Sequence, residues 1–256
     1  MKGEISQSQW VSFFNTLTTT QKSARDSTVS GKNSDNLVDR NNVSWTSGDA
    51  GGATYSSVAM NYISWADLAA YLDWAGLRPM SELEFEKAAR GPYRAVSGEY
   101  AWGTASITGA TSISNAGLPN EAPGAAANCV YNRPAGVQGP MRVGAMAAGD
   151  STRIASGAGY YGAMDLTGNV SERPVTVGNS TGRGFTGAKH GNGALTSGGE
   201  GDVTTWPGTN AVGAGLRGGG WFDGVGYTRL SDRLQAANTQ TTRYRVNGGR
   251  GIRSAP

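Results

Sequence analysis

Reactive side chains are scarce in this sequence. Cys129 is the only cysteine and His190 the only histidine among 256 residues. A lone thiol rules out an intrachain disulfide and a cysteine-based zinc site. His190 sits in the run Gly187-Ala188-Lys189-His190-Gly191, where a single imidazole reads as a solvated side chain rather than a base. Gly178-Asn179-Ser180-Thr181-Gly182 has the letters of a nucleophile elbow. That motif needs a strand before its serine and a helix after it, and here it opens a glycine-rich loop with no helical pattern following. A Ser/His/Asp hydrolase is set aside.

Recognition chemistry, in contrast, is concentrated near the C-terminus. Phe222, Asp223, Tyr227 and Arg229 come first, followed by Gln235, Asn238 and Gln240, then Arg243, Tyr244, Arg245 and Asn247. Rings supply contact area at little entropic cost, while amides, carboxylates and guanidiniums add directional bonds. The plainer reading is that some of these residues are core and the rest simply solvated. Sequence alone leaves both open.

The elements that would position such a surface begin with three helices in the first third. Ser6 with Gln9, Ser64 with Asp67 and Ser81 with Glu84 each have the spacing of a reciprocal N-terminal cap. Trp10, Phe13, Phe14 and Leu17 follow the first cap as one apolar stripe,. The second helix buries Trp65, Leu68, Ala69, Leu72 and Ala75 and stops at Gly76; the third turns Phe85, Ala88 and Ala89 inward and ends at Gly91,. Between the first two, residues 21–55 read as a long surface excursion with little regular structure. Beyond Tyr93 short apolar pieces alternate with glycine clusters, and residues 178–215 read as an extended loop. Helices first and short strands later predict an α+β fold, counted as one domain over residues 1–256.

Composition agrees with a loop-rich globular protein. Forty glycines lie among seven tryptophans, and 38% of the residues are hydrophobic, which opposes disorder. The net charge is +3, from 22 basic and 19 acidic residues. No basic run tracks a phosphate backbone, so nucleic acid is not an expected partner. No apolar stretch has the length of a membrane span, and Met1-Lys2-Gly3-Glu4 does not open a secretory signal,.

Four segments, in order, resemble the formylglycine-generating-enzyme family, also called the sulfatase-modifying-factor family. The first runs from Ile63-Ser64-Trp65 through Trp74-Ala75-Gly76-Leu77-Arg78-Pro79 to Ser81–Gly91. The second is Tyr100-Ala101-Trp102-Gly103, and the third Gly162–Glu172, containing Asp165-Leu166-Thr167-Gly168-Asn169. The fourth comprises Leu216-Arg217-Gly218-Gly219-Gly220-Trp221, Ser231-Asp232-Arg233 and Gly251-Ile252-Arg253. The resemblance implies a C-type-lectin-like fold: two or three helices beside small twisted antiparallel sheets, with long irregular loops. It also implies a further strand before the segment that begins here. Asp232 with Arg233, and Arg78, Arg217 and Arg253, would be scaffold ion pairs.

The departures bear on activity. The family's enzymes carry two cysteines shortly after the Arg-Gly-Gly motif, and the related sulfoxide synthases carry three histidines. Residues 221–228 contain no thiol and His190 stands alone, so neither a copper nor an iron redox site is expected. Ser171 and Arg173 stand where tryptophan is usual. The resemblance further implies a structural calcium ion held by the Asp165 and Glu172 carboxylates and the Gly168 and Val170 carbonyls, an all-oxygen set. The competing reading is a turn tied by Asp165 and Asn169 through side-chain-to-backbone bonds. Asn128 with the Cys129 carbonyl faintly matches a second such site.

A narrower resemblance is to the variable proteins of diversity-generating retroelements, which place diversified residues in the last few dozen positions. The resulting expectation is a non-enzymatic ligand-recognition domain for a protein or glycan target. Its setting would be extracellular, cell-surface or phage-particle. An enzyme with atypical chemistry and a structural module of a larger assembly are the alternatives.

Overall fold

The computed structural model describes residues 1–28, 33–147 and 151–254. Each predicted cap starts a helix. Ser6 caps α1 (Gln7–Phe14), with its hydroxyl on the Gln9 N–H and the Gln9 side chain returned to the Ser6 N–H. Two further helices are Trp65–Trp74, capped by Ser64, and Glu82–Arg90, capped by Ser81 and ended at Gly91 with φ of 69°.

A fourth helix, α2 (Thr19–Arg25), was not foreseen. Thr18 and Gln21 form its own capping box, inside a segment whose polar composition hides it. The expected excursion over residues 21–55 also contains an antiparallel ribbon of β1 (Val43–Ser44) and β2 (Gly52–Ala53). In chain order the two downstream helices are α3 (Trp65–Trp74) and α4 (Glu82–Arg90). A second ribbon pairs β3 (Ile113–Ser114) with β4 (Ala122–Pro123). One turn, α5 (Ser180–Arg183), follows Asn179. That turn is more helix than predicted after Ser180, but no strand precedes it, so the elbow reading still lacks its frame.

The main core lies between α1 and α3. Trp10, Phe13, Tyr71 and Trp74 meet with ring centroids 5.2–6.4 Å apart. Residues 178–215, expected as an extended loop, close this core rather than leaving it. Trp206, Ala211 and Ala214 are buried in the same cluster, and the Trp65 indole donates to the Pro207 carbonyl at 2.9 Å. Asp67 ties the layers together. It completes the α3 cap and accepts from Arg25 at 3.0 Å and Arg243 at 2.7 Å. Burial alone would raise the Asp67 carboxyl, but the two guanidiniums hold it below the ordinary carboxylate range,.

The closing segments are not long strands. They are single bridges: Ser171 with Asn247, Glu172 with Arg217, Val175 with Ala214, and Arg78 with Ile252. Glycine explains this irregularity. Gly218 and Gly219 both take left-handed φ values, 82° and 61°, which no side chain tolerates cheaply in succession. The architecture is α+β with two short antiparallel ribbons, as predicted, and isolated bridges of both senses, Ser171 with Asn247 being parallel. Among the described residues, no helix is long and apolar enough to cross a membrane.

Candidate ligand-binding site

The central motif lies between two C-terminal segments. On one side Glu172 and Arg217 exchange backbone bonds at 2.9 and 3.0 Å; on the other the Ser171 N–H donates to the Val246 carbonyl and the Gly248 N–H to Ser171. The Gly168 N–H donates to Gly218, and the Trp221 N–H to Asn169. The Trp221 indole, fully buried, donates to the Arg245 carbonyl at 3.1 Å. These long-range bonds hold open a cavity of about 190 Å³.

Seven of the eleven residues expected at a recognition surface line this one cavity. Asp223, Tyr227, Gln235 and Asn238 stand on the segment that follows Trp221. Gln240, Tyr244 and Asn247 come from the segment that returns to the central motif. The other four do not line it. The Phe222 ring is held between the Arg133 and Arg245 guanidiniums, at 5.0 and 4.7 Å. Arg229 is exposed and outside the cavity. Arg243 is engaged by Asp67 and by the Asp26 and Ala24 carbonyls at 2.7 and 2.6 Å. Arg245 binds Asp35 at 2.6 Å. Both arginines tie loops down.

Several lining residues were not foreseen as such. Ser171, Leu216, Arg217, Gly219, Asp232 and Val246 complete the wall. Arg217 is buried and donates to Glu82 at 2.7 Å and to the Leu230 carbonyl at 2.5 Å, with its guanidinium 4.9 Å from the Phe85 ring. The expected pair of Asp232 with Arg233 does not form. Arg233 turns to Glu86 and Glu82 instead, because α4 presents two carboxylates where the adjacent residue offers one. Arg78 pairs with Glu84 at 2.7 Å as a scaffold tie. Arg253 is exposed and has no ion pair among the described residues. Ser171 carried a signal that could have been used: a small residue where tryptophan is usual leaves room, and the cavity occupies that room.

The electrostatics of the wall are unusual for a folded interior. Asn247 has no exposure, and neither atom of its side-chain amide has a hydrogen-bond partner. Burial pushes the Asp223 carboxyl up, although the Gly220 N–H at 2.9 Å and the Ser171 hydroxyl oppose that shift. Burial raises Asp232 in the same way. Each of these groups would be relieved by a partner from outside the chain.

The calcium ligands implied by the resemblance sit deeper. Glu172 is bonded to the buried Arg250 at 2.5 Å, and Arg250 donates onward to the Met164 carbonyl at 2.7 Å. Asp165 accepts from the Gly144 N–H at 2.6 Å, and Asn169 accepts from the Met141 N–H at 2.8 Å. The nearby Glu4 carboxyl is pushed well up by burial and by Asp165. A cation held by Asp165, Gly168, Val170 and Glu172 would have to displace or face the Arg250 guanidinium. The residues present therefore fit a buried arginine with long-range side-chain-to-backbone ties better than a calcium cage,; the ties run to Met141 and Gly144 rather than within a local turn. Asn128 accepts from the Thr108 N–H at 2.9 Å, a bond between segments 20 residues apart. His190 accepts from the Ser254 N–H at 3.0 Å, so it is a structural acceptor rather than a freely solvated ring.

With the frame and the cavity described, the relationships become clear. Residues 1–255 match the sulfatase-modifying factor enzyme 1-like domain. The chain belongs to that family, and its fold is C-type-lectin-like. Among solved structures it is similar to Treponema denticola variable protein 1, with 15% identity, 96% of this chain and 80% of that chain covered, and a TM-score of 0.43. A comparison with curated proteins finds no match.

Proposed function

We propose that this chain is a non-catalytic ligand-recognition protein whose C-terminal segment presents a pocket to a protein or glycan target. The observation that carries the reading is convergence. Residues spread from Asp223 to Asn247 line one cavity, on a frame that includes the buried Trp221, Thr228, Leu230 and Ala236. A rigid frame with aromatic and amide walls is how adaptable binding surfaces are built.

The residue inventory supports the negative half of the proposal. A two-thiolate centre cannot be assembled from one cysteine. Burial also pushes the Cys129 thiol well up, and its sulfur donates to the Thr167 carbonyl at 3.2 Å, which makes it a poor nucleophile. A surface of this kind suits a retroelement-diversified protein or a receptor-binding tip on a cell surface or phage particle.

The test is combinatorial. Tyr227, Asn238 and Tyr244 are randomised together, folded clones are scored by thermal unfolding, and binding is read on arrays of proteins and glycans. The expected result is a folded library whose binding profile changes from clone to clone. Wholesale unfolding, or one profile shared by every folded clone, would defeat the reading. The diversified variant has its own check: a near-copy of the DNA encoding residues 217–253, differing at adenines, beside a reverse-transcriptase gene.

A further inference from the structure

We infer that the pocket takes a cationic group, the ammonium or guanidinium end of a basic side chain on a protein target. This rests on the reading of the cavity as the recognition site and adds the chemistry of what enters it.

Charge balance is the first argument. Arg217 lines the pocket and Arg233 follows the lining Asp232, and both are paired with Glu82 and Glu86 of α4. Asp223 and Asp232 also line the cavity, and neither forms an ion pair with a basic side chain among the described residues. These six groups sum to two negative charges, with Arg217 and Arg233 acting on Asp232 at longer range. Other cations nearby are committed elsewhere: Arg245 to Asp35, and Arg243 to Asp67. Arg173 is the exception: buried behind the wall, it forms no ion pair among the described residues and donates to the Gln240 main-chain carbonyl at 2.8 Å, so the surroundings of the pocket are left negative by one charge.

The second argument is independent of charge. Asn247 is fully buried, lines the cavity, and has an unpartnered amide oxygen as well as an unpartnered nitrogen. A buried acceptor of this kind is retained against a cost unless something donates to it. An ammonium or guanidinium is a pure donor. Tyr227 and Tyr244 line the same cavity, and the Tyr244 ring already carries one cation, the Arg245 guanidinium 6.0 Å from its centroid,.

Size sets the remaining limit. A cavity of about 190 Å³ lies below the range of roughly 300 Å³ and upward that encloses whole small ligands. It accommodates the end of one side chain, with the rest of the target lying across the rim. A neutral sugar hydroxyl could satisfy Asn247, but it would leave the Asp223 carboxylate, raised by burial, without a counter-charge. The cation answers both features. Burial already pushes both carboxyls up, and an entering positive charge would reverse that.

The experiment uses the full chain with its side-chain amides labelled for NMR. Three probes are titrated: Nα-acetyl-lysine amide, the same compound acetylated at Nε, and methyl α-glucoside. The expected result is that the lysine probe moves the Asn247 amide resonances with a millimolar dissociation constant, while the two neutral probes do not. Asp232→Asn should weaken the lysine probe roughly tenfold, as loss of one charge-assisted contact predicts. Asp223→Asn is the second variant, and the dispersion of each spectrum shows that the variant is folded. The inference is overturned if the Nε-acetylated probe or the glucoside moves Asn247 as far as lysine does. It is also overturned if no probe moves it, or if both folded variants bind lysine unchanged. Failure here with clone-dependent binding in the randomised library would remove only the cation. Failure of both would remove the pocket's role.

Discussion

The α1–α3 core and the C-terminal pocket solve opposite problems with the same glycine-rich chain. In the core, four aromatic rings pack on one another, and the buried charge on Asp67 is met by two arginines. In the pocket wall, a buried amide has no partner and two half-buried carboxylates form no ion pair among the described residues. The first arrangement spends its residues on stability. The second leaves interactions unmade, which is how a binding surface differs from an interior of similar burial.

If that contrast is right, substitutions should divide sharply in their effects. Trp65→Ala should cost most, about 3–5 kcal/mol of unfolding free energy, since the ring is fully buried and anchors Pro207. Denaturant melts would measure it, and Tyr244→Ser should lose less than about 1 kcal/mol in the same assay. Arg217→Met comes next, at about 3 kcal/mol, because it strips the buried Glu82 of its closest cation,. An unaltered melt for that variant would mean the pocket floor is not scaffold.

The acid-dependence of the two regions should run in opposite directions. Asp67 has a depressed folded pKa, so its contribution is complete above the unfolded value and is lost as pH falls through the folded one. Asp223 has a raised folded pKa, so stability is lost as pH rises from the unfolded value through the folded one. Asp223→Asn should therefore raise the midpoint of thermal unfolding more at pH 8 than at pH 4, with the Asn oxygen keeping the Gly220 bond. A larger gain at the acid end would reverse the assignment.

Smaller effects sharpen the same comparison. Asn247→Leu should change stability by less than about 1 kcal/mol or increase it, because no intrachain hydrogen bond is lost,. A loss of several kcal/mol would show that the amide is tied in place after all. Calcium should do least. At about 10 mM it should leave the thermal midpoint unmoved within about 1 °C, since Arg250 already holds Glu172,. A clear calcium-dependent rise would restore the cage implied by the resemblance.

How much could be read in advance follows from the range of each interaction. The caps at Ser6, Ser64 and Ser81 act over three residues, so their helices were legible. The cap at Thr18 obeys the same rule and was missed because its helix lacks an apolar stripe: only Arg25 is buried. Residues 178–215 misled for a related reason. One tryptophan, Trp206, is enough to draw a polar segment onto the core, and no local pattern announces that.

What the sequence determined by itself was the family, the capped helices, and the reactive inventory of one thiol and one imidazole, because these are counts and short spacings. Only the tertiary structure decided which polar side chains share a cavity. Arg243 and Arg245 were separated from Asn247 by partners more than 100 residues away, Asp67 and Asp35. Asp232 was released from Arg233 by α4. Those outcomes depend on loop closures between distant segments, and local sequence carries little record of which distant carboxylate a given arginine will find.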